Sequence, residues 1–80
     1  MREERERHFN MVLMSVPRII DELLNDGLMV PSTIAGLVQV AKQVADDNAH
    51  VVGDDYFEAC LKDVIDGGDG LQVGKYGKNG

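Results

Sequence analysis

His50, Asp54 and Glu58 recur every four residues, the spacing that would align three metal-ligating side chains along one face of a helix. Gly53 interrupts that run, and Asp54 or Asp55 is a natural helix cap, so the helix that would align the three is expected to break. No metal site is expected there, and His8 is remote in sequence. Cys60 is the single cysteine; it falls on the apolar face of a helical stretch, where a thiol behaves as a small hydrophobe. No histidine lies near it in sequence to act as a base. Ser15 and Ser32 read as helix caps rather than nucleophiles. The acid pairs Asp46/Asp47 and Asp54/Asp55 are more simply helix-end and solvated-surface groups than a general acid and base, which would also need a cleft. The chain therefore reads as non-enzymatic, with no catalytic residue and no cofactor.

The closing stretch "VIDGGDGLQVGKYGKNG" offers the other candidates. Setting Asp69-Gly70 at the fifth and sixth positions of a calcium loop puts Ile65 and Gly67 at the first and third ligand positions and Tyr76 at the twelfth. The loop lacks most of its oxygen ligands. "DDNAHVVGDDYFE" fares no better, because Ala49 and Val51 occupy ligand positions and Gly53 falls one residue late. A phosphate-binding loop ending at Gly74-Lys75 would need Gly where Asp69 stands and Ser or Thr where Tyr76 stands. Residues 67–80 thus read as a flexible Gly/Lys tail appended to a helical domain of residues 1–66. The alternation of Leu71, Val73 and Lys75 with Gln72, Gly74 and Tyr76 would suit a short strand added to a partner's sheet.

The elements behind these residues are helical. "REERERHFNMVLM" and "SVPRIIDELLNDG" form either two helices, with Ser15 capping the second, or one helix crossing Pro17. The 3-4-3-4 spacing of Phe9, Val12, Val16, Ile19 and Leu23 runs straight through the proline, as in a coiled-coil seam. Glu3 and Arg7 form a favourable i,i+4 pair, and Gly27 suits the C′ position. "STIAGLVQVAKQVADD" begins at a Ser32 cap and places Ile34, Leu37, Val38, Ala41 and Val44 on one face. Gly36 in its interior points to close approach of another helix. "NAHVVG" is a connector with room for a short extended piece. "DDYFEACLKDVIDGG" is the clearest helix, with an Asp55-x-x-Glu58 start and Gly67-Gly68 as its stop. The fold class is all-α, a small bundle of three to four helices.

Eighty residues with 44% apolar and 5% aromatic content, and no Trp, give a core of Val, Leu, Ile, Met and Ala close to the lower size limit for independent folding. Self-association or docking on a partner would help it. The absence of a second cysteine, of a signal-peptide pattern and of a long apolar run points to a cytoplasmic protein without a membrane span. An acidic chain of about this length also invites comparison with acyl carrier proteins, whose prosthetic group needs an Asp-Ser pair opening a helix. Here the comparable position reads Asp54-Asp55-Tyr56, and that resemblance fails.

Charge carries what remains. Net charge is −6 overall, while residues 19–74 hold eleven acids against Lys42 and Lys62. Such a body repels nucleic acid and anionic membrane and favours basic partners. The expected function is a protein-binding module, an inhibitor or adaptor, docking on a basic patch of a partner protein through Asp46, Asp47, Asp54, Asp55 and Glu58. Small acidic proteins of this kind include phage-encoded inhibitors of host defence or transcription machinery. The alternatives are a homodimeric regulator touching nucleic acid through Arg2, Arg5, Arg7, Arg18, Lys75 and Lys78, or a structural component of an assembly.

Overall fold

The computed structural model describes the backbone of residues 2–74 and the side chains of residues 3–74. It contains four helices, α1 (Arg2–Asn25), α2 (Val30–Asp47), α3 (Ala49–Val52) and α4 (Tyr56–Ile65), and no strand among the described residues. The all-α reading holds. Residues fall into two compact units, Met1–Val38 and Gln39–Gly80, and the division lies inside α2.

α1 is one helix of 24 residues with Pro17 in its interior. Proline has no N–H, so the carbonyl of Leu13 loses its donor one turn on, yet the helix continues. The apolar 3-4 spacing runs unbroken across this point. Near its start Arg7 lies 3.9 Å from Glu4, one residue nearer than the Glu3 that spacing suggested. The helix stops in a Schellman motif: Leu28 N–H donates to the Leu23 carbonyl at 3.2 Å and Gly27 N–H to the Leu24 carbonyl at 3.1 Å. Gly27 has φ +103, which a β-carbon would strain. The same closure ends α4, where Gly67 (φ +100) bonds Val64 at 3.1 Å and Gly68 bonds Asp63 at 2.8 Å.

Two cap assignments from sequence are corrected. Ser15 lies inside α1. α2 starts at Val30, two residues before Ser32, because Pro31 fits a first turn that needs no N–H of its own. The Met29 carbonyl accepts both the Thr33 N–H at 3.0 Å and the Thr33 hydroxyl at 2.9 Å, anchoring that turn. The earlier start extends the apolar spacing to Val30, Ile34, Leu37, Ala41 and Val44, again in steps of four and three. A β-carbon built on Gly36 would meet nothing within 4 Å, so no neighbouring helix of the described residues presses on it.

The core anticipated from composition is not buried. Among the described residues no hydrophobic side chain is buried, and the only buried residue is Gly70. Nineteen large apolar residues are exposed, from 37% at Val16 and Leu23 to 74% at Ile65. Short amphipathic helices have apolar faces that need another surface to cover them, and here each face keeps a large part of its area open to solvent.

Candidate functional site

The five acids proposed from sequence all fall in the second unit, and all are exposed. Asp46 and Asp47 end α2, Asp54 and Asp55 form the turn after α3, and Glu58 stands in the first turn of α4. Asn48 and Gly53 set this frame. The Asn48 side-chain amide donates to the Val44 carbonyl at 2.8 Å and closes α2. The Asn48 carbonyl then accepts Val51 N–H at 2.8 Å and Val52 N–H at 3.0 Å, so the chain re-enters a helix at once. The "NAHVVG" connector is therefore a turn of helix, not an extended piece. Gly53, at φ +97, ends it with a 2.7 Å bond to the Ala49 carbonyl.

Asp55 occupies the N-cap position of α4, and its carbonyl accepts Ala59 N–H at 3.1 Å. Its carboxylate makes no capping bond, because ψ of 10° departs from the extended backbone that aims a cap side chain at the first-turn N–H groups. The Asp55-x-x-Glu58 box is thus not closed from the aspartate side. Lys42 is the cation at this end: its ammonium lies 2.6 Å from Asp46, with both side chains more than half exposed. The hydrogen bond to Asp46, then the Asp46 charge, raise the Lys42 pKa, and Glu58 adds to the effect across from α4. Among the described residues Asp47, Asp54, Asp55 and Glu58 form no ion pair.

The remaining sequence candidates are dispersed. His50 sits in α3 and Glu58 in α4, separated by the break at Gly53, and no three His, Cys, Asp or Glu side chains of the described residues group as metal ligands. Arg5, Arg7 and Arg18 stand on α1 in the first unit, Arg2 is described by its backbone alone, and Lys75 and Lys78 lie outside the described residues. Cys60 is a free, half-buried thiol. Burial, and after it the carboxylates of Asp63 and Asp69, push its pKa up, which disfavours the nucleophilic thiolate.

Sequence reasoning missed one feature. The glycine-rich stretch from residue 67 begins as a segment laid back along α4, described as far as Gly74. Gly70 N–H donates to the Asp63 carboxylate at 2.9 Å, and the Tyr56 hydroxyl reaches the Gly70 carbonyl at 3.4 Å. A β-carbon on Gly70 would stand 2.8 Å from Cys60 Sγ, and one on Gly74 would stand 3.6 Å from the Tyr56 ring. Residues 70–72 are bends and 73 has no regular structure, so the strand that alternation suggested is not formed: Gly70 at φ +80, and an Asp69 carboxylate accepting Leu71 N–H at 2.9 Å, turn the backbone out of extension. An aspartate seven residues before the last glycine of Gly67-Gly68-Asp69-Gly70 was the available signal, though a weak one.

No protein-family model, no curated protein and no solved structure matches this chain. Among the described residues no helix is long and apolar enough to cross a membrane.

Proposed function

We propose that this chain is a protein-binding module, acting as an inhibitor or adaptor, whose acidic end docks on a basic patch of a partner protein. The observation that carries the reading is the set of five exposed carboxylates at consecutive helix junctions of one compact unit, with Lys42 held against Asp46. Carboxylates fixed at helix ends keep their positions without side-chain caps to release, and surface charge of one sign speeds encounter with a basic surface. Recognition of this kind needs no turnover, and the burial that pushes the Cys60 pKa up disfavours the thiolate a covalent step would use.

The test is capture of partners from host extract by the wild-type chain and by a variant with Asp46, Asp47, Asp54 and Asp55 changed to Asn and Glu58 to Gln. Helicity is checked by circular dichroism. The variant should stay helical and lose a partner whose capture by the wild type falls with added salt. Undiminished capture by the helical variant would refute the reading. A low-salt gel shift distinguishes the alternative regulator, for which binding to nucleic acid would fall steeply with salt.

A further inference from the structure

α1 is uncharged from His8 to Pro17, a run of ten residues with charges on either side. Within it Met11, Val12, Leu13 and Met14 follow one another, and at about 100° per residue they place apolar groups on every face of the helix. A helix that is apolar all round belongs in an interior. These four side chains are instead 58%, 55%, 53% and 72% exposed. One neighbouring helix covers one side of such a rod and leaves the other open.

We infer that the first unit is completed by a second copy of this chain, with the middle of α1 packed antiparallel against its counterpart. Area supports a copy as the occupant. α1 exposes seven large apolar residues, at 37–72% each. With roughly 60–120 Å² of apolar area per side chain, they present about 200–450 Å². A standard interface buries about 800 Å² per partner, a little over half of it apolar. Charge sets the direction. α1 sums to only −1, from Arg2, Arg5, Arg7 and Arg18 against Glu3, Glu4, Glu6, Asp21 and Glu22. A parallel pair would set Asp21, Glu22 and the following Asp26 against their own copies. The antiparallel pair sets them beside the opposite end of α1, where three arginines balance three glutamates. The 3-4 seam positions Phe9, Val12 and Val16 supply the interlocking row.

The test uses the full chain. Light scattering behind size exclusion should give twice 8.8 kDa at micromolar concentration, and the thermal midpoint should rise with protein concentration. Met14→Glu should raise the dimer dissociation constant at least about a hundredfold by burying an unpaired charge, while Ile65→Glu, on the second unit, should leave it unchanged. A monomeric mass with a concentration-independent midpoint overturns the inference, as does a Met14→Glu variant that dimerises like wild type. Should Met14→Glu unfold, spin labels replace it, in a Cys60→Ser background. Labels at Ser15→Cys should broaden each other, whereas labels at Glu3→Cys, about 28 Å apart along the axis in the antiparallel pair, should not. Silence at position 15, or broadening at position 3, overturns it.

Discussion

Replacing Gly70 by Ala tests the docking of residues 67–74 on α4. Two costs add. At φ +80 an L-residue is in the left-handed region, at about 1–2 kcal/mol. Its new methyl would also stand 2.8 Å from Cys60 Sγ and 3.0 Å from Val64 Cγ2, an overpacking of about 1–3 kcal/mol. Gly67→Ala is the matched control, because Gly67 has φ +100 but nothing within 4 Å of its β-carbon. It carries the backbone cost alone. Undocking uncovers Cys60, so the rate of thiol modification reads the open population. At about 1.4 kcal/mol per tenfold, Gly70→Ala should react about five to a hundred times faster than Gly67→Ala. The rate in denaturant sets the ceiling. Equal rates for the two variants would refute the packing argument, and a Gly70→Ala rate equal to wild type would refute the docking itself.

Two other outcomes follow from the same geometry. Cys60 is pushed above its ordinary value of 9.0 by burial and then by Asp63 and Asp69, so the docked state holds its proton longer than the open state. The stability this gives is fully present below about pH 9 and is lost as pH rises through the docked-state value; Cys60→Ala should abolish that component of an alkaline melt series. Gly36→Ala should raise the thermal midpoint, since α2 gains about 1 kcal/mol of helix propensity and the methyl meets open space. A lowered midpoint would mean that another chain closes on Gly36.

What could be read from sequence divides by range. Gly27 and Gly67 were legible as helix stops because the Schellman closure is local and needs a residue tolerant of positive φ just past an apolar period. The continuity of α1 through Pro17 was half legible, in the unbroken spacing from Phe9 to Leu23. α3 was not, since four residues carry no period. Ser32 misled because a serine after proline resembles a cap, while Pro31 itself belonged to the first turn. The positions of the five acids at helix junctions followed from Gly53 and the adjacent asparagine and aspartates. The return of the glycine-rich segment did not: Gly70 meets Tyr56 across fourteen residues, and glycine leaves no hydrophobic trace of such a contact.

That return fixes where a handle should go. The path doubles back from the last turn of α4 to Tyr56, its first residue, and Gly74 ends the described chain beside that ring, one residue past Asp55. A reporter inserted directly after Gly74 would thus start from the same pole that bears Asp54 and Asp55. A tag, an immobilising bead or a fluorescent reporter placed there starts its reach within the neighbourhood it is meant to observe.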